Sequence, residues 1–417
     1  MKIFTRFTLL AMTSLLWACD STDLGIRPPS VDPDEVVLNC NDHYDACELA
    51  RANNNFGLDI FRNLHQQTPD ENIFISPTSL ATALSMTLNG AANETFTDMQ
   101  DAMEVEVWDM LTLNAAYQEL LSALPNLDNQ VDLTIANAIF HEQTFPFKSE
   151  FLNLNAAFFF SEVNGLDFRD EASVGIINDW VNTQTNGLIP DIIDAIPATG
   201  VMYLINAIYF KANWRFRFDS NRTTKQDFYL ADHTTEEVDM MTFGEEISIP
   251  YFNHPLFQAI DLAYADSVYS MMLLLPKEES SLQEVVQELN EENWQQWTDA
   301  LDHYDLEVYL PKFTLEDEHK ESMKEALEDL GMGIAFEETR ADFTKMGPLG
   351  LYISRVIHKS FIEVNEAGTE AAAVTAVEIL NESASYPGIL RFDRPFVFAI
   401  RDNQTNNILF VGQYVKP

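Results

Sequence analysis

The run "NEAGTEAAAVTAVEIL", residues 365–380, places the strongest limit on the fold of this chain. Side chains alternate between the two faces of a strand, so a strand formed by this run has two unlike faces. The first face is uncharged and begins with small residues: Thr369, Ala371, Ala373, Thr375, Val377 and Ile379. The second face carries all the charge: Glu370, Ala372, Val374, Ala376, Glu378 and Leu380. Such a strand suits a narrow slot in which one side is buried and the other side is wet.

The residues around this run suggest that it is joined to an exposed loop. Gly368 comes directly before the alternating residues and gives the backbone freedom to bend. The segment that follows, "LNESASYPGILRF", is polar and rich in turn-forming residues. A permanent strand followed by an ordinary surface loop would show the same spacing, so both interpretations stay open at this point.

The rest of the chain mixes helices and strands without regular βαβ alternation, which predicts an α+β fold. Apolar residues at helical spacing indicate one long helix: Leu49, Ala52, Phe56, Ile60 and Leu64. Ser76 and Pro77 are typical of an N-cap and a first helical position. The segments "VDLTIANAIF" and "VMYLINAIYF" predict buried strands, and "RPFVFAI" and "NNILFVGQYV" predict a hairpin. We see no linker after residue 47 and expect a single domain over residues 47–417.

The N-terminus predicts export and a lipid anchor. Two basic residues precede an apolar run at residues 7–18, which is too short to span a membrane and is typical of a signal peptide. The run ends in "LWAC", which resembles a bacterial lipobox whose cysteine, Cys19, is lipidated. We therefore expect a signal peptide at residues 1–19, an acidic, proline-rich tether at residues 20–46, and a protein that is extracellular or held at the cell envelope. Cleavage nearby with full secretion is the alternative.

Cys40 and Cys47 are the only other cysteines, and in an exported chain they predict a disulfide. His43 lies between them, but no further cluster supplies four ligands, so a metal site is the weaker interpretation.

The formal charge of −42 argues against several classes of partner. A phosphate backbone would be repelled, so we expect no nucleic-acid binding. No Lys or Arg occurs between Arg62 and Lys148, so this stretch offers no basic patch for heparin-like polyanions. Membrane contact is expected only through the lipid anchor.

Local catalytic signatures are missing from the sequence. There is no G-x-S-x-G elbow, no H-E-x-x-H, no P-loop and no G-x-G-x-x-G, and the eight histidines are scattered. We therefore expect neither an enzyme nor a cofactor.

Ten segments together resemble the serpin family. "EVNEAGTEAAAVTA" is similar to the hinge that precedes the family's reactive loop, and "NIFISPTSLATALSMTLNGA" resembles the helix beneath its central sheet. The segments "LTIANAIF", "INDWVNTQTNGLI", "NAIYFKANWRFRF", "VDMM", "LPKF" and "LGMGIAF" follow in the family's order. "VIHKSFIEV" and "FDRPFVFAIRDNQTNNILFVGQYVKP" resemble the strands on either side of the reactive loop. The resemblance covers nearly all of residues 48–417.

This resemblance implies a metastable fold with three β-sheets, eight or nine helices and an exposed reactive-centre loop. It also implies suicide inhibition of a serine endopeptidase, or for some family members a cysteine endopeptidase, in which the cleaved loop inserts into the central sheet. The hinge residues implied are Glu366, Gly368, Thr369, Glu370, Ala371, Ala372 and Ala373. We expect the protein to act as a monomer.

The family's usual spacing from Glu366 places the reactive bond between Glu382 and Ser383. A glutamate before the bond suits a Glu-specific protease. Because the following segment is about two residues longer than usual, the bond could instead follow Ser383, Ala384 or Tyr386. Ser383 or Ala384 would suit an elastase- or subtilisin-like enzyme, and Tyr386 would suit a chymotrypsin-like one.

Five further positions match the region where the family's sheet opens: Ser76, Ser79, Asn206, Trp214 and His358. Some family members instead bind or carry ligands or assist folding, and such a non-inhibitory role is the alternative function. The permissive hinge favours an inhibitor, because small residues occupy the positions that must be buried.

Overall fold

A computed structural model describes residues 38–318, 321–369 and 388–417 of the chain. This part of the chain contains nine α-helices. They are α1 (Tyr44–Gln67), α2 (Pro77–Leu88), α3 (Asn93–Ala102), α4 (Met110–Ala123), α5 (Ser149–Phe158), α6 (Ala172–Gln184), α7 (Leu282–Glu288), α8 (Glu291–Asp299) and α9 (Glu321–Asp329).

The same residues contain sixteen β-strands, so the predicted α+β class is confirmed. They are β1 (Ile73–Ile75), β2 (Asp132–Glu142), β3 (Glu162–Leu166), β4 (Met202–Asn213), β5 (Thr224–Tyr229), β6 (Thr235–Thr242), β7 (Ile247–Asn253), β8 (Phe257–Ala263), β9 (Tyr269–Pro276), β10 (Asp302–Pro311), β11 (Phe313–Glu318), β12 (Lys359–Val364), β13 (Gly368–Thr369), β14 (Gly388–Arg391), β15 (Phe396–Asp402) and β16 (Ile408–Tyr414).

A six-stranded sheet has the order β11-β12-β13-β4-β2-β3. Its longest pairing joins β2 and β4 antiparallel, from Asp132 opposite Lys211 to His141 opposite Met202. The very short β13 lies between β12 and β4 and is antiparallel to both. The chain leading into β12, residues 351–358, belongs to no strand. Beyond β13 the two halves of this sheet are therefore not joined by strand pairing in the described residues.

A ten-stranded sheet consists of two groups joined through β10. One end of β10 pairs with β7, and the other end pairs with β6 and, in parallel, with β14. The first group holds β1, β16, β15, β9, β8 and β7, and the second holds β10, β14, β6 and β5. Strand pairing in the described residues thus gives two sheets where three were expected, because β10 pairs with both groups and joins them into one sheet.

Helix α2 lies in the core and contacts both β4 and β16. It begins as predicted, because the Ser76 Oγ accepts a hydrogen bond from the Ser79 backbone N–H at 3.1 Å and Pro77 occupies the first turn. Every residue of α2 except Ala83 is buried. Both strands of the predicted hairpin β15–β16 are buried at every residue, and α2 contacts β16 on one side of this core.

The folded unit begins earlier than residue 47. Leu38 is buried, and its N–H donates to the Gln404 side chain at 2.7 Å. A disulfide joins Cys40 to Cys47, and α1 begins at Tyr44 within the loop that the disulfide closes. Residues 38–46 therefore belong to the fold rather than to the tether, because this disulfide and the Gln404 contact hold them against it.

His43, the possible metal ligand, contacts the carboxylate of Glu119. The described residues contain no cluster of three or more side chains suited to hold a metal ion. They also contain no helix with the length and apolar character needed to cross a membrane. Cys19 lies outside the described residues.

Candidate functional site

The two hinge residues of β13 are already seated inside the six-stranded sheet. Thr369 lies opposite Ala212 of β4 on one side and opposite Val364 of β12 on the other. Gly368 lies opposite Asn213 with φ +157°. A Cβ at Gly368 would stand 2.0 Å from the Ala212 carbonyl oxygen, so glycine is needed here for the close approach of two backbones.

Thr369 is buried, and so are the residues that flank it. Its exposed fraction is 3%, and Ala212 and Val364 are 2% and 0% exposed. Residues directly opposite each other in a sheet project from the same face, so these three side chains share the core-facing side. The uncharged face predicted from the alternation therefore points into the core at its first position.

Two aromatic residues hold the stem of the hinge. The Tyr264 hydroxyl forms a hydrogen bond of 2.7 Å with the Thr369 hydroxyl. The Trp214 ring stacks on the Tyr264 ring at a centroid distance of 4.4 Å. The Trp214 indole N–H donates to the Asn365 carbonyl, and its backbone N–H donates to the Ala367 carbonyl, both at 2.9 Å. Trp214 thus fixes the residues just before β13 through two hydrogen bonds.

Glu366, at the start of the hinge, is held by polar contacts with two other segments. Its carboxylate accepts hydrogen bonds from the Thr223 hydroxyl at 2.8 Å and from the Lys312 ammonium at 3.3 Å. Partial burial by itself would raise the pKa of Glu366, but hydrogen bonds from its own backbone, Thr223 and Lys312, together with the charge of Lys312, leave this pKa below its ordinary value. The Glu366 carbonyl also accepts from the Phe218 N–H at 3.1 Å.

Past β13 the sheet contains a cavity of about 450 Å³ between β4 and residues 351–358. Side chains of α2 line it on the core side, and residues from α6 and the segment after it line the other side. Its walls combine aliphatic side chains, such as Leu80, Ile193, Leu204 and Val356, with polar and aromatic ones.

The predicted sheet-opening residues divide between two places. Ser79, Asn206 and His358 line the cavity, and the Ser76 backbone N–H donates to the His358 Nε2 at 3.0 Å. The Asn206 amide donates to Asn137 Oδ1 at 2.8 Å, while the buried Asn206 Oδ1 has no partner in the described part of the chain. Trp214 instead stands at the hinge end of the sheet.

The remaining predicted site residues lie outside the described residues. These are the hinge positions Glu370, Ala371, Ala372 and Ala373, and the candidate reactive positions Glu382, Ser383, Ala384 and Tyr386. The chain between β13 and β14 contains all of them, and it connects the six-stranded sheet to the ten-stranded sheet.

Three contacts of the hinge were missed from the sequence. Lys312 stands in the quoted segment "LPKF", but nothing there points to Glu366. Thr223 and Tyr264 carry no pattern of their own, because their role depends on contacts across more than 100 residues of chain.

The family model for Serpin (serine protease inhibitor) matches residues 51–417. Serpin B10 of Rhinolophus ferrumequinum is 33% identical over 399 residues, covering 88% of this chain and 99% of its own length. Serpin B6 of Macaca fascicularis is 34% identical over 376 residues, with the same coverage.

Two solved structures are similar over 89% of this chain. The native state of tengpin, a thermophilic serpin, has a TM-score of 0.79 at 33% identity, with 94% of that chain covered. Human thyroxine-binding globulin in complex with its ligand has a TM-score of 0.80 at 27% identity, with 99% of that chain covered.

Proposed function

The chain belongs to the serpin family, and on this premise we propose that it is a suicide inhibitor of serine endopeptidases. The supporting observation is the position of the hinge. Gly368 and Thr369 occupy the first two positions of a new strand between β12 and β4, and an open cavity lies ahead of them in the same sheet. The chain that follows, from Glu370, has the small and one-sided character that insertion requires.

The proposed reaction begins at the Glu382–Ser383 bond. The serine hydroxyl of the protease attacks the Glu382 carbonyl, an ester to Glu382 forms, and the Ser383 amine leaves with the C-terminal fragment. The freed N-terminal part of the loop then extends β13 into the gap and carries the attached protease with it. Deacylation fails because the protease is displaced and distorted before water attacks the ester.

The register of β13 determines where each loop residue goes. Thr369 lies opposite Ala212 and Val364, and pairing is antiparallel, so each step forward in the loop is one step back in β4 and β12. Thr375, six residues on, would come to lie between Asn206 and His358. A threonine hydroxyl at that point supplies a donor for the unpartnered Asn206 Oδ1.

The proposal is tested by mixing the protein with four serine proteases: a glutamyl-specific endopeptidase, pancreatic elastase, subtilisin and chymotrypsin. We expect an SDS-resistant complex with at least one of them, most readily with the glutamyl enzyme. The released C-terminal fragment should begin at Ser383. Clean cleavage of the loop by all four enzymes without any complex would contradict inhibition, and a fragment beginning elsewhere would move the reactive bond.

A carrier role is the second candidate, because thyroxine-binding globulin is among the similar structures. A carrier does not need loop insertion, so cleavage of its loop need not stabilise the protein. The complex assay and the melting experiment described below therefore separate the two candidates.

We also propose that the protein is exported and anchored by a lipid on Cys19. In a bacterial host, the full chain should fractionate with membranes and incorporate labelled fatty acid. The Cys19→Ala variant should lose both properties. An unchanged membrane fraction in that variant would overturn the anchor.

A further inference from the structure

The hinge contains a buried pair of hydroxyl groups, one on Tyr264 and one on Thr369. Tyr264 belongs to the body of the fold, whereas Thr369 belongs to the segment that would extend on insertion. Tyr264 follows directly after β8, is 0% exposed, and donates its backbone N–H to the Tyr269 carbonyl at 2.9 Å. Its ring is stacked on Trp214 and meets the Phe210 ring edge-on at 5.2 Å. These two ring contacts and the complete burial of Tyr264 hold its hydroxyl beside β4.

Tyr264 stays available as a hydrogen-bond partner over the working pH range. Burial raises the pKa of Tyr264 far above its ordinary value, so the hydroxyl keeps its proton. Thr369, the partner, belongs to the strand of two residues that begins the insertion.

Only one register of the hinge satisfies this hydroxyl. A two-residue strand has too few ladder hydrogen bonds to fix its own register. A shift by two residues would bring Ala367 or Ala371 to the position of Thr369, and a shift by one would bring Gly368 or Glu370. Neither alanine nor glycine has a side-chain hydrogen-bonding group, and a glutamate there would bury a charge.

We propose that Tyr264 is a positioning residue that seats Thr369 and thereby sets the register in which the loop begins to insert. This inference rests on the proposed inhibitory function. In the uncut protein, the hydrogen bond between Tyr264 and Thr369 holds the hinge at the end of the cavity between β4 and residues 351–358. After cleavage, the same contact makes the next residues enter with their small, uncharged side chains toward the core.

A double-mutant cycle tests the role of Tyr264. The readout is the stoichiometry of inhibition, the moles of inhibitor consumed per mole of trapped glutamyl endopeptidase or pancreatic elastase. Tyr264→Phe leaves the Thr369 hydroxyl buried without a partner. Thr369→Val likewise leaves the Tyr264 hydroxyl buried without a partner. Each single variant should raise the stoichiometry by at least about twofold, because a buried unpaired hydroxyl disfavours the seated hinge. The double variant Tyr264→Phe/Thr369→Val should return close to the wild-type value, since neither hydroxyl remains.

Tyr269→Phe is the matched control. Tyr269 is also buried and also meets the Phe210 ring, but its hydroxyl bonds to the Leu124 carbonyl and not to the hinge. This variant should lower the melting temperature without changing the stoichiometry. Unchanged stoichiometry in both hinge variants, or additive defects in the double variant, would overturn the proposal.

The melting temperature of the uncut protein separates this proposal from the proposed function. Both single hinge variants should melt lower than the wild type, and the double variant should recover, whether or not a protease is trapped. If the wild type traps none of the four proteases, inhibition fails while the seating of Thr369 is still tested by this melting cycle. If the double variant does not recover its melting temperature, the seating itself is wrong.

Discussion

Thr369 shows at the residue scale what loop insertion requires. Its side chain is small and uncharged, it is buried among core-facing neighbours, and its one polar atom is paired with Tyr264. A charged group at this position would be buried without a partner, at a cost of several kcal/mol, in every state where the hinge is seated.

We expect Thr369→Arg to convert the inhibitor into a substrate. The variant should be cleaved at the loop at the normal rate but should form no SDS-resistant complex, because the guanidinium cannot enter the core. Glu370→Arg is the matched control, since the next residue along the strand belongs to its other face. Complex formation by Thr369→Arg, or equal loss of complex in both variants, would contradict the predicted faces.

Glu291, the first residue of α8, is a second residue with an unusual environment. Desolvation by burial raises the pKa of its carboxyl to about 7, against the attraction of Arg51 and a hydrogen bond from Asn54. The folded protein therefore binds this proton more tightly than the unfolded chain does. The resulting stability is complete below pH 4.5, the ordinary pKa, and is lost as the pH rises to about 7.

Glu291→Gln should remove this part of the pH dependence. The variant should be more stable than the wild type at pH 8, by at most about 3 kcal/mol, because no charge is then buried. The advantage should shrink as the pH falls to 5, and melting temperatures at both pH values measure it. Glu292→Gln, a change at the exposed neighbour, should leave the pH dependence as in the wild type. A Glu291→Gln variant with wild-type pH dependence would show that this carboxyl is not responsible.

Sequence reasoning at the residue scale succeeded where a repeating pattern was present. The alternation predicted that Thr369 belongs to the buried face, and the structure shows Thr369 buried, while the later positions of both faces stay a prediction. Gly368 was assigned to the hinge for its backbone freedom, but the structure adds the close contact with Ala212, which no local pattern encodes. Tyr264 had no signal at all, because its role arises from a contact between distant segments.

At the element scale, β13 is a strand of two residues with a defined register on both sides. The alternating burial of β12 agrees with that register, because Ser360, Ile362 and Val364 are buried and the residues between them are less so. If the loop inserts in this register, Val374 would lie opposite Lys359. Lys359 donates a hydrogen bond to the Asp191 carbonyl, in the segment after α6, at 2.7 Å.

A cysteine pair can test this register. In the variant Lys359→Cys/Val374→Cys, oxidation should form a disulfide only after the loop has been cleaved and has inserted. In the control pair Lys359→Cys/Thr375→Cys, the second cysteine falls on the opposite face, so no disulfide should form. Mass spectrometry of the cleaved protein reads both results. A disulfide in the control pair alone would shift the register by one residue.

Elements with long periodic patterns were predicted well, and short ones were not. Helix α1 and the β15–β16 hairpin follow from apolar periodicity over many residues. The strand β13 could not be predicted as a separate element, because two residues carry no period. The start of the fold at Leu38 was also missed, since it depends on a single contact with Gln404.

At the scale of the whole molecule, the central feature is a contrast between a fully buried core and an open seam, by which we mean the cavity between β4 and residues 351–358. The hairpin β15–β16 and the strand β9 are buried at every residue. The six-stranded sheet, in contrast, has a cavity of about 450 Å³ between β4 and residues 351–358. Strand edges along such a seam carry backbone groups that a new strand would pair, so the proposed function predicts that loop insertion gives a more stable arrangement of this chain.

Melting the protein before and after a cut in the loop tests this claim most directly. A brief digestion should cleave the chain between residues 370 and 387 and leave the rest intact, as an SDS gel can verify. Up to about a dozen new backbone hydrogen bonds, each contributing about 1 kcal/mol, should then raise the melting temperature by at least about 10 °C. A cut protein that melts at or below the temperature of the intact one would show that the seam accepts no strand.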